Sequence, residues 1–147
     1  MTTLRRRSAR TGNRIGVWMY RTLNGRLSGG SKNVPVLMIT TPGRRTGTPH
    51  STCVAHIEVP EGLVVWGTGS GSPRDPDWFE NMRHARDATV QVRDRTFRVR
   101  PRELVGDERD IMWRDVILAK APRVRRYADR AGRVIPVALL EPVDGTG

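Results

Sequence analysis

Six short runs, each bounded by glycine, proline or a charged turn, constrain this chain more than any other feature. They are VPVLMITT (34–41), STCVAHIEV (51–59), LVVWG (63–67), ATVQVRD (88–94), TFRVRPREL (96–104) and RVIPVALLEP (133–142). Each has strand length and is rich in β-branched residues or alternates apolar with polar. Helical spacing occurs at only a few places between them. DWFENMRH (77–84) reads as a helix with Asp75 or Asp77 as its cap. DERDIMWRDVILAK (107–120) reads as another, with Ile111, Met112, Asp115-Val116 and Ala119 on one face and Pro122 as its stop. Strands outnumber helices and do not alternate with them, so the pattern predicts an α+β barrel-like domain with inserted helices, not βαβ units. Asp94 falls at a tight turn between the fourth and fifth strands.

The segment before the first strand is different. Residues 1–12 read as a disordered basic tail. Over 13–33 the sequence predicts a short amphipathic helix, carrying Ile15, Trp18, Met19, Leu23 and Leu27, followed by the linker SGGSKN. The barrel domain then occupies 34–144. A helix of this kind either packs on the core or lies on a membrane surface.

Charge is unevenly placed. The net charge is +11, and the first acidic residue is Glu58, which ten basic residues precede. Beyond it, basic and acidic residues nearly cancel. That asymmetry points to an anionic partner on the N-terminal side: a polyanionic ligand, an acidic membrane surface or nucleic acid. Single-stranded nucleic-acid sites need aromatic stacking platforms. Aromatics are 5% here, and the predicted strands carry only Trp66 and Phe97, so nucleic acid is not favoured.

Several chemistries have no basis in the sequence. The single cysteine, Cys53, allows no internal disulfide and reads as an inert mid-strand thiol; the compartment it suits is the reducing cytoplasm. His50, His56 and His84 have no partners at metal-ligand spacing, so no metal site is expected. There is no Walker loop and no G-x-S-x-G elbow, and GTGSGS (67–72) has serine at the third glycine position of a dinucleotide fingerprint. A binding module remains, or an enzyme whose chemistry belongs to an organic cofactor.

Two loops could serve such a cofactor. TTPGRRTGTPH (40–50) is far longer than a strand-to-strand turn requires. Gly43 and Gly47 permit close backbone approach there, and Arg44, Arg45 and Thr46 offer donors suited to phosphate or carboxylate. Gly67 to Gly71 offers backbone N–H groups that could form an anion nest. The alternative is two ordinary surface loops, the first basic by composition.

Taken in order, ITTPGRRTGTPH, VVWGTGSGSPRDPDWFENM and VIPVALLEP resemble the successive signatures of the deazaflavin (coenzyme F420)-dependent nitroreductase family, over about residues 34–142. The resemblance implies a split β-barrel of about six antiparallel strands, preceded by an amphipathic helix. It implies an oxidoreductase that passes a hydride from reduced F420 to a small electrophile: a quinone, enone or nitroaromatic. The family's phosphate- and oligoglutamate-holding loop matches Thr41, Gly43, Arg44, Arg45, Thr46, Gly47 and Thr48, with His50 where better-known members carry a basic residue. Its ring-contacting turn matches Gly67 and Thr68, followed by Gly69 in place of a lysine. Its helix motif matches Asp75, Pro76, Trp78 and Asn81. Tyr127 is the one tyrosine kept near the C-terminus and the only protein group nominated to donate the completing proton, with water as the other source. Flavin mononucleotide is the second-choice cofactor, and the same barrel loaded with haem is a further alternative. A homodimer and peripheral contact with an anionic membrane at the inner face of the cell are the expected associations.

Overall fold

The computed structural model describes residues 34–143. Seven strands form one antiparallel sheet: β1 (Val36–Pro42), β2 (Pro49–Ala55), β3 (Ile57–Val59), β4 (Gly62–Trp66), β5 (Ala88–Val92), β6 (Arg95–Leu104) and β7 (Val137–Pro142). Across the sheet they run in the order β2-β1-β5-β6-β7-β4-β3. β2 and β3 are therefore opposite edges, yet only His56 separates them in the chain. One residue reaches about 4 Å, whereas seven flat strands would span roughly 28 Å. The sheet must curl until its edges approach. This is the α+β split barrel that the sequence predicts.

It has one more strand than expected, because residues 51–59 form two strands rather than one. β2 follows β1 from Val36↔Ala55 to Pro42↔Pro49, and β3 pairs with β4. The break falls at His56, whose backbone N–H donates to the Pro35 carbonyl at 3.0 Å. The short hairpin between β5 and β6 turns at Arg93-Asp94, as expected of Asp94, with Arg93 in the left-handed region (φ 58°).

Apolar alternation divides the core in two. Leu63, Val65, Ala138 and Leu140 face one side, with Leu37, Ile39, Val90 and Val99, and pack with Phe79 and Met82 of helix α1 (Asp77–His84). Val64, Trp66, Val137 and Leu139 face the other and pack against a second helical segment. β4 and β7 are buried on both faces, which is why their sequences read as continuous apolar runs. β6 instead alternates, placing Arg98, Arg100 and Arg102 in solvent.

The second helical segment runs through α2 (Gly106–Ile111), a π-helical stretch (Met112–Ile117) and α3 (Leu118–Lys120). The widened turn changes the buried face expected from ordinary helical spacing. Ile117 is buried, with Met112, Trp113, Val116 and Leu118 packed against the same cluster, while Ile111 is exposed and so is Ala119. A further helix that the sequence reading missed, α4 (Val124–Ala131), ends on Gly132 in the left-handed conformation (φ 66°). The arginines at 123, 125 and 126 hide a period visible only through Val124, Ala128 and Ala131. The amphipathic segment expected at 13–33 and the tail at 1–12 lie outside the described residues.

Candidate functional site

The long loop between β1 and β2 is built on its own backbone. Gly43 N–H donates to the Thr48 carbonyl at 2.7 Å, and Gly47 N–H to the Gly43 carbonyl at 2.8 Å. Gly47 has φ 78°, where any side chain would be strained. Thr46 Oγ1 accepts from the Thr48 N–H at 3.2 Å.

α1 holds this loop from the side. Asn81, nearly buried, uses one oxygen twice: Oδ1 accepts from the Arg44 backbone N–H at 3.2 Å and from Arg44 Nη1 at 2.7 Å. Arg44 Nη2 reaches Asp77 Oδ1 at 3.2 Å. Arg44 is thus tied to the helix, and Asn81 is occupied by protein rather than presented as a loose helix-surface amide. Between loop and helix lies an open cleft of about 890 Å³, within the range of small-molecule and cofactor sites. Arg44, Arg45, Thr46, His50, Trp78 and Asn81 are among its walls. Trp78 is partly buried, its ring edge-on to buried Phe79 with centroids 5.4 Å apart.

The expected cap on α1 is not made. Pro76 occupies the cap position without a side-chain hydrogen bond. Asp75 is drawn away by two guanidinium groups, Arg133 Nη1 at 2.7 Å and Arg83 Nη2 at 3.2 Å. Arg83 also pairs with Glu103 (2.7 and 3.0 Å) and with Glu80. The Glu103 carboxylate, assisted by Asp75 and Glu80 against partial burial, raises the Arg83 pKa further above its ordinary value.

Arg133 organises the glycine-rich turn. Its guanidinium donates to the carbonyls of Gly67 (3.1 Å), Thr68 (3.3 Å), Ser72 (3.1 Å) and Arg74 (2.9 Å) as well as to Asp75. Inside the turn, Gly71 N–H is committed to the Thr68 carbonyl and Ser72 N–H to the Gly69 carbonyl. The expectation of an N–H nest is corrected to this extent: four carbonyls converge on a cation, and two of the loop's N–H groups are spent internally. Gly67, Thr68 and Gly69 do not line the cleft that holds Arg44. Nor does Tyr127, which lies on α4, the helix packed against Gly69–Gly71, with Arg130 over its ring at 5.9 Å. Arg133 was not legible as a site residue, because one arginine before an apolar strand carries no signature.

Two further groups matter for their environment, Cys53 half-buried and His56 wholly buried. Burial pushes the Cys53 thiol up, so it stays protonated at neutral pH and is a poor nucleophile. His56 is wholly buried, neither ring nitrogen has a partner among the described residues, and burial lowers its pKa to about 4 against a small opposing pull from Glu58. Among the described residues no three His, Cys, Asp or Glu side chains cluster as metal ligands, and no helix is long and apolar enough to cross a membrane.

Residues 12–142 match the sequence profile of the F420H(2)-dependent quinone reductase family. The F420H(2)-dependent quinone reductase of Mycobacterium tuberculosis is 27% identical over 125 residues, 83% of this chain and 84% of that protein. Among solved structures, an F420-H2-dependent reductase superposes with a TM-score of 0.65 at 25% identity, covering 78% of this chain and 96% of its own. A domain-swapped dimer superposes equally well (TM-score 0.65) at 22% identity, covering 88% and 98%, and shares the fold.

Proposed function

The chain belongs to the F420H(2)-dependent quinone reductase family, and we propose that the cleft between the 43–50 loop and α1 is where it holds its deazaflavin. It is an oxidoreductase dependent on F420. When bound, the reduced cofactor supplies a hydride to an electrophilic acceptor, a quinone in the reaction for which the family is named.

Cleft size and donor chemistry both fit such a group. Arginines, hydroxyls and an imidazole suit the phosphate and carboxylates of the cofactor, and Trp78 offers an aromatic face. The observation that carries the reading is the double use of Asn81 Oδ1 by Arg44, which fixes the loop against the helix so that the cleft exists before a ligand arrives. In this reading Arg44 and Asn81 set the shape, while Arg45, Thr46 and His50 in the cleft wall meet the anionic part; Gly47 and Thr48, outside that wall, hold the loop's backbone turn. Gly67, Thr68 and Gly69 lie outside the cleft's walls, but they belong to the turn held by Arg133 whose last residue, Arg74, lines it, and they are proposed for the ring side.

A quinone that gains a hydride becomes a hydroquinone anion, and one proton completes the reduction. Cationic walls favour that developing charge. Because Tyr127 is not among the cleft's walls, water is the proposed proton source. The basic segment 13–27 is proposed, from its charge and apolar spacing alone, to bring the enzyme to anionic membranes where apolar quinones partition. Deleting residues 1–30 is then expected to abolish binding to anionic vesicles while sparing turnover of a water-soluble quinone.

The reading is tested by mixing reduced F420, a soluble naphthoquinone and the protein without oxygen, with reduced flavin mononucleotide in a parallel series. Protein-dependent reappearance of oxidised F420, with little for the flavin, is the expected result. Protein that accelerates only the flavin reaction, or neither, contradicts it.

A further inference from the structure

The carboxylates around the cleft are already neutralised within the protein. Asp77 pairs with Arg44, Glu80 with Arg83, and Asp75 with both Arg83 and Arg133. Two exposed guanidinium groups in the cleft wall have no such partner among the described residues: Arg45, on the β1–β2 loop, and Arg74, three residues before the start of α1. They reach the same cleft from separate segments.

Arg74 is also held in place. Its backbone N–H donates to Ser72 Oγ at 3.3 Å, and its carbonyl accepts from Arg133 Nη2 at 2.9 Å. The backbone is therefore anchored while the side chain is left without a protein counter-ion. Arg44, with more hydrogen bonds, is the weaker candidate for a ligand, because an incoming anion would have to compete with Asn81 and Asp77.

We propose that Arg74 and Arg45 together form the anion-selecting element of this cleft, gripping the phosphate or carboxylates of the bound molecule from two sides. Arg44 serves instead as a positioning residue for the loop. Resting on the deazaflavin reading above, this assigns the preference for a charged-tail ligand over its tail-less ring system to Arg45 of the loop acting with a residue outside it. Nothing in the β1–β2 loop needs to change for that preference to be lost.

The test measures dissociation constants by fluorescence for F420 and for the 5-deazaflavin nucleoside lacking phosphate and glutamates, at two salt concentrations. Wild type, Arg74→Ala, Arg74→Lys and Arg45→Ala are compared, with circular dichroism confirming that each is folded. Wild type is expected to prefer F420. Arg74→Ala should weaken F420 binding about threefold to tenfold, as for an accessible charge-assisted contact, and leave the tail-less ligand within twofold. Arg74→Lys should recover part of the loss, and high salt should shrink the difference between wild type and Arg74→Ala. Equal F420 affinity in wild type and Arg74→Ala, or equal weakening of both ligands, overturns the inference and leaves the cofactor reading standing. Wild type that binds neither ligand overturns both.

Discussion

Asn81 Oδ1 receives two hydrogen bonds from Arg44, one from its backbone and one from its guanidinium. One amide oxygen on α1 thus sets both where the β1–β2 loop runs and where its first arginine points. Asn81→Ala removes the shared acceptor and leaves a partly buried N–H and a partly buried cation less well satisfied. It is expected to cost about 1–3 kcal/mol of stability and to weaken F420 binding about tenfold through loss of a preformed cleft. Denaturant unfolding and a binding titration on the same preparation check the two effects. Asn81→Asp keeps the acceptor, so it should preserve stability better than affinity.

Arg133 joins four carbonyls of the 67–74 turn and Asp75, with its side chain only 16% exposed. Arg133→Met strands those acceptors and leaves Asp75 to Arg83 alone. A loss of about 3 kcal/mol is expected, read as a lower denaturation midpoint. Arg133→Lys should recover only part of it, since an ammonium cannot span the turn as the planar fork does.

His56 is buried and neutral, with its pKa lowered to about 4 from an ordinary 6.5. Between those values the unfolded chain binds the proton and the folded chain does not. Stability therefore falls as pH drops from about 6.5 toward 4, and this contribution flattens below 4, where both states are protonated. The full swing for one site is about 3 kcal/mol. His56→Leu should flatten this part of the stability–pH curve measured by urea unfolding; an unchanged slope would show that the imidazole is reached by water or paired in solution.

Tyr127 lies on α4, and its ring is not part of the cleft wall. Tyr127→Phe should keep kcat for quinone reduction within about twofold, whereas loss of a true general acid costs about a hundredfold or more. Stopped-flow turnover with reduced F420 distinguishes the two.

Much of this was legible in the residues. The β-branched runs gave the antiparallel sheet, and the length of the loop after β1 marked a place where backbone was being spent on something other than a turn. α1 was read over its full extent. What escaped has physical causes. His56 splits one apparent strand, and no local signal separates a strand that bends from one that changes partner across a curled sheet. A π-helical stretch moves the buried face of residues 106–120 away from 3.6-residue spacing, and four charged residues obscure α4. At the site, Arg44 and Asn81 were found separately, but their mutual bond was not, because sequence does not reveal which arginines are already paired. The same limit hid Arg133, Arg83 and the uncompensated charge of Arg74.

The most direct test of the central claim is a fluorescence titration of the purified protein with oxidised F420, with flavin mononucleotide run beside it. Saturable F420 binding at micromolar or lower concentration, clearly tighter than the flavin and weakened by Asn81→Ala, is the result predicted here. Tighter binding of flavin mononucleotide, or no saturable binding of F420, would contradict the assignment of this cleft to a deazaflavin.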